Sequence, residues 1–110
     1  MRLIIAIVPV DALDAVRAAL VALDVGGVTI TRMFGRGTPR FDGDEYWDLQ
    51  GEGCIRLEML TTDEGADDLI DAIVGWVQEV SLRPRGMVFQ RPVEEVIRIR
   101  THEFGDSAIH

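Results

Sequence analysis

Leu3-Ile-Ile-Ala-Ile-Val8 is an unbroken apolar run, mostly β-branched, that starts almost at the first residue. A strand with one wet face would alternate polar and apolar residues, so this run predicts a strand buried on both faces and closed by Pro9. Any fold for the chain must put it in the middle of a sheet. It is far too short to span a bilayer and too short for a signal sequence with its cleavage site, so no targeting segment is predicted and a cytoplasmic location is expected. Asp11 is predicted to cap a following helix, whose apolar positions Leu13, Val16, Leu20 and Leu23 recur at helical spacing until Gly26-Gly27.

The period then changes. Val28, Ile30 and Arg32 alternate with Thr29, Thr31 and Met33, which predicts a second strand running into Gly35-Arg-Gly37. From Gly35 to Gly53 no period survives, and Asp42-Gly-Asp-Glu-Tyr-Trp-Asp48 lies in what reads as one long loop. Cys54 to Leu60 alternates as a third strand. Thr61 or Thr62, followed by acidic residues, marks the start of a second helix with Leu69, Ile70, Ile73, Val74 and Val77 on one face, ending near Val80-Ser81. Leu82 to Gly86 reads as a second loop, Met87 to Gln90 as a fourth strand, and Val96 to Arg100 as a strand-like finish. The order βαββαβ describes an α+β fold of the ferredoxin-like plan, an antiparallel sheet carrying both helices on one face.

At 110 residues and 47% hydrophobic, the chain is expected to be a single domain, residues 1–110, that buries its core without disulfides or a structural metal. Its one cysteine, Cys54, is too few for a disulfide or a cysteine-based zinc site and suits a packing role in a reducing compartment. A formal charge of −8 argues against a nucleic-acid partner, which would need an accumulation of basic surface.

All eleven basic residues are arginine. Arg98 and Arg100, two apart in Val96-Ile-Arg-Ile-Arg100, would project from the same face of a strand, where two planar guanidiniums make a site for phosphate or carboxylate. On these residues alone, a solvated face pairing with Glu94, Glu95 or Glu103 explains them as well. Gly35-x-Gly37 is equally consistent with a plain tight turn, and the acidic residues of the long loop lack the ordering of a calcium loop. Tyr46 and Trp47 are either partner anchors or folded back on the protein itself. His102 has no spaced nucleophile or second ligand, and no Walker motif or metal quartet is present, so catalysis is disfavoured.

Three stretches together carry a family resemblance: Met1 to Val8, Gly27-Val-Thr-Ile-Thr-Arg-Met-Phe-Gly-Arg-Gly37, and most specifically Phe89 to Thr101 with its Arg98-Ile-Arg-Thr. Over nearly its whole length the chain resembles the PII signal-transduction proteins. The resemblance implies a homotrimer with adenine nucleotide (ADP, AMP or ATP, with cyclic di-AMP in some relatives) bound in clefts between subunits. It also implies a long loop, the T-loop, at residues 35–53 that grips a partner protein such as a membrane transporter. Thr29, Gly35, Arg36 and Gly37 would then face the nucleotide at the base of that loop, Arg98 and Arg100 would face its phosphates, and Arg83, Arg85 and Gly86 would form the second phosphate loop, the B-loop.

Three departures mark a divergent member. Thr38-Pro39 stands where the family has a glutamine, Cys54 where it has a lysine, and Pro84-Arg-Gly-Met87 where its B-loop reads Gly-Asp-Gly-Lys, with only Gly86 kept. The expected function is that of a non-enzymatic regulator in nitrogen or bicarbonate control, without direct membrane insertion. The alternative is a trimeric interaction module of the same fold that has lost its ligand, and a third reading is a small enzyme using His102 and acidic residues.

Overall fold

A computed structural model of the chain describes residues 1–23, 25–31, 54–82, 84 and 86–109. The elements run β1 (Arg2–Pro9), α1 (Leu13–Ala22), β2 (Thr29–Thr31), β3 (Cys54–Thr61), α2 (Asp63–Val80) and β4 (Met87–Pro92), with short 3-10 turns at Val10–Ala12 and Gly105–Ala108. The sheet order is β2-β3-β1-β4, and every pairing is antiparallel. β1 is therefore central, as its continuous apolarity predicts. This is the ferredoxin-like arrangement expected from the element order.

Register assigns the two faces of β1. Ile4, Ala6 and Val8 point toward the helices and pack in one cluster with Val16 and Leu20 of α1, Leu57 and Met59 of β3, and Leu69, Ile73 and Val77 of α2. Burying each large aliphatic side chain there is worth roughly 1.5–3 kcal/mol. Ile5 and Ile7 face the other way and cluster with Cys54, with Leu3 packed alongside. On that second face Ile5 stands opposite Phe89 and Ile7 opposite Met87, and both of these β4 residues remain substantially exposed. The sheet thus presents an apolar surface on the side that carries no helix.

α2 begins as predicted. Thr62 is its N-cap, and its hydroxyl accepts from Gly65 N at 3.1 Å, a contact worth about 1 kcal/mol. The start of α2 is also tied to β1, since the Met1 amine and Arg2 Nε lie 2.8 and 3.4 Å from Asp63 Oδ1. The amine beside Asp63 holds its carboxyl below the usual carboxylate range. Trp76 is half-buried against the main core.

Two expectations are corrected. Asp11 does not cap α1. A 3-10 turn intervenes, Ala12 takes the N-cap position without a side-chain bond, and the Asp11 carboxylate reaches across to Ser81 Oγ at 2.8 Å and Leu82 N at 3.1 Å. Nor do residues 96–100 form a strand: Ile97 makes a single bridge to Phe104, and the chain folds back on itself between them. Arg98 N donates to Glu103 O at 2.9 Å and His102 N to Arg98 O at 2.8 Å, so these backbone groups are used within a tight hairpin and add nothing to the sheet. Among the described residues, no helix is long and apolar enough to cross a membrane.

Candidate functional site

Antiparallel register brings the first half of the site together. Thr29 in β2 lies opposite Glu58 in β3, which lies opposite Ile5 in β1, so Thr29 and Glu58 share the face without helices. Arg56, two residues from Glu58 on the same face, holds that carboxylate in an ion pair at 3.0 Å, with both side chains partly buried. The C-terminal segment closes over this region. Arg98 Nε donates to Ala108 O at 3.1 Å, fastening the Gly105–Ala108 turn beside the hairpin.

Between sheet and C-terminal segment lies a cleft of ≈ 470 Å³, lined by Gly26, Gly27, Thr29, Glu58, Arg98 and Ala108 among others. A hydroxyl, glycine backbone, a carboxylate and a guanidinium in one cleft suit a ligand that combines polar ring or sugar edges with negative charge. Among the described residues no three His, Cys, Asp or Glu side chains cluster as metal ligands.

Of the residues singled out by sequence, Thr29 and Arg98 meet in this cleft. Arg100 does not line it. It sits exposed in the hairpin turn, so the expectation that the two arginines share a strand face fails with the strand itself. Gly86 lines a different cleft of ≈ 230 Å³, with Val74, Val77, Pro84, Met87 and Val88. Leu3 borders the first cleft while Ile7 and Val8 border the second, a separation of about 13 Å along β1. One chain therefore carries Thr29 and Arg98 at one place and Gly86 at another. Gly35, Arg36, Gly37, Arg83 and Arg85 lie outside the described residues, as does the loop at residues 35–53.

Sequence reading missed Glu58, Gly26 and the closing Ala108. The alternation of Cys54, Arg56 and Glu58 in β3 carried the signal for Glu58, because two opposite charges at outward positions of a mostly apolar strand need a reason. The hairpin corner holds another unread signal. His102 has φ +58°, a left-handed backbone in which a side chain is disfavoured. His102→Gly is expected to raise stability by about 1 kcal/mol, measured as a higher urea midpoint at unchanged m-value.

Comparison with known proteins agrees with this architecture. The family model described as nitrogen regulatory protein P-II matches residues 1–103. The chain is 34% identical to nitrogen regulatory protein P-II 2 of Methanothermobacter thermautotrophicus, with 99% of this chain and 97% of that protein aligned. It is 36% identical to nitrogen regulatory protein P-II of Pasteurella multocida and 35% identical to that of Klebsiella oxytoca, in each case over 99% of this chain and the whole of the relative. With its helices on one face of a β2-β3-β1-β4 sheet and a match that runs almost from end to end, the chain belongs to the nitrogen regulatory protein P-II family of signalling proteins, which are regulators rather than enzymes.

Proposed function

We propose that this protein is a homotrimeric regulator that binds ADP, AMP or ATP between neighbouring subunits and controls a partner protein through residues 35–53. A membrane transporter is the partner class favoured by the resemblance. The observation that carries the reading is the division of the site. Thr29 and Arg98 line one cleft and Gly86 another, at separate places along β1, and a neighbouring copy is what would bring the two halves onto one ligand. On the face without helices, the exposed Met87 and Phe89 offer apolar surface to such an assembly.

The test is sedimentation equilibrium followed by thermal shift with ATP, ADP, AMP and cyclic di-AMP, each with and without Mg²⁺. A species of three times the 12.2 kDa chain and a saturable shift with an adenine nucleotide are expected. At a ligand concentration of 100 times Kd the stabilisation would be about 2.7 kcal/mol. A monomer, or a trimer that responds to none of the four, overturns the nucleotide reading. The second outcome is the ligand-free interaction module, which one observation favours: Cys54, in place of the family's lysine, is buried beside Ile5 and Ile7 and brings no charge to a phosphate.

A further inference from the structure

Of the two charged residues in β3, Glu58 lines the cleft with Thr29 and Arg98 and Arg56 does not. A carboxylate accepts hydrogen bonds without donating any, and beside a phosphate it repels. Its place in a cleft that also holds a guanidinium therefore calls for a donor group on the ligand. Thr29 is its direct neighbour across the β2–β3 pair, so hydroxyl and carboxylate stand side by side, and Gly26 and Gly27 bring no side chain into the space they border. Arg56 sits one row along the sheet, opposite Thr31 and Ile7. Its Nε is shielded from water and lies 3.0 Å from Glu58 Oε1, with the two side chains only 29% and 28% exposed. Such a pair is held more firmly than one between two long side chains in open solvent. Oε1 is engaged by Arg56, and Oε2 keeps its lone pairs for a donor that enters the cleft.

We infer that Arg56 is a positioning residue for ligand selection: it holds the Glu58 carboxylate in the cleft, where that carboxylate accepts a hydrogen bond from a sugar hydroxyl of the bound nucleotide. The inference rests on the nucleotide reading above and deepens it. Arg56 touches no ligand in this account. A sugar that lacks the hydroxyl leaves a partly buried carboxylate without a donor, and a sugar phosphorylated at that position meets like charge. Selection thus works by penalising the wrong ligand as much as by rewarding the right one. Without Arg56 the Glu58 side chain regains its rotamers, and the hydroxyl loses a partner fixed in advance.

The experiment compares wild type, Glu58→Gln, Arg56→Gln and Arg56→Lys by calorimetric titration with ADP, 2′-deoxy-ADP and 3′-deoxy-ADP. Wild type should bind ADP roughly tenfold more tightly than at least one of the deoxy analogues. Arg56→Gln should bring ADP down toward the level of that analogue and leave the analogue's own affinity near the wild-type value, since only the ligand with the hydroxyl loses a partner. Glu58→Gln should narrow the preference as well, because a neutral amide oxygen accepts less strongly than a carboxylate. Arg56→Lys keeps the charge and should restore part of the preference. A merely structural role for the pair would weaken all three ligands together or none, with the ratios unchanged, and either result overturns the inference. Wild-type protein that binds none of the three overturns the nucleotide reading and this inference with it, whereas wild-type protein that binds all three equally overturns this inference alone.

Discussion

Gly86→Ala is expected to lower the unfolding free energy by about 2–5 kcal/mol, enough to leave a chain of this size marginal. Two independent terms contribute. Gly86 has φ +100°, a conformation that disfavours any L side chain by roughly 1–2 kcal/mol. A Cβ at this position would also fall inside the contact distance of the Ile7 carbonyl oxygen and lie 2.9 Å from its carbon. Neither atom can give way cheaply, because Ile7 belongs to the central strand and pairs on one side with Arg56 and on the other with Met87. Forcing the methyl in would push β4 off β1, an overpacking penalty of about 1–3 kcal/mol.

Urea denaturation checks this, with Gly75→Ala as the control. Gly75 lies inside α2 with nothing within 4 Å of its added methyl, so that change should stabilise by about 1 kcal/mol. Equal effects at the two positions would sink the steric argument. The prediction also bears on the site, since the resemblance gives Gly86 a ligand-facing role while the structure supplies a reason for glycine that needs no ligand. Loss of nucleotide binding in Gly86→Ala would therefore say nothing about direct contact.

The fold was readable wherever burial dictated pattern. β1 declared itself because a strand covered on both faces cannot alternate, and α2 because Thr62 and a regular apolar stripe mark both its start and its buried side. The finish at Val96-Ile-Arg-Ile-Arg100 was misread because alternation over five residues is shared by a sheet strand and by one arm of a small hairpin. What separates them is where the backbone bonds go, and here Arg98 N and O turn to Glu103 and His102. Asp11 was misread for a related reason: an aspartate ahead of a helix looks like a cap, and its real partners are 70 residues away. The site was legible only in pieces. Residue types and family spacing pointed to Thr29, Arg98 and Gly86, but their division between two clefts reflects spatial placement that a linear pattern does not encode.

That division separates the two arginines in a measurable way. Arg98→Ala is expected to weaken nucleotide binding by roughly 10- to 100-fold, the loss of a charged hydrogen-bond donor from the cleft, and Arg100→Ala by only about threefold. The asymmetry comes from placement, since Arg98 is partly buried in the cleft with Thr29 and Arg100 is exposed at the turn. Arg98 also fastens Ala108 through its Nε, so the same substitution should quicken amide exchange across residues 105–108. Arg98→Lys distinguishes the two roles. Lysine keeps the charge but not the planar fork, so part of the nucleotide affinity should return while the bond from Nε to Ala108 does not. If Arg98→Ala binds nucleotide as tightly as wild type and only the C-terminal exchange changes, Arg98 is a latch for the chain's own tail and the cleft it lines is not where the phosphates sit. If Arg100→Ala proves the more damaging of the two, the hairpin turn must reach the ligand on the neighbouring copy, and the trimer's geometry would assign the phosphates to that turn.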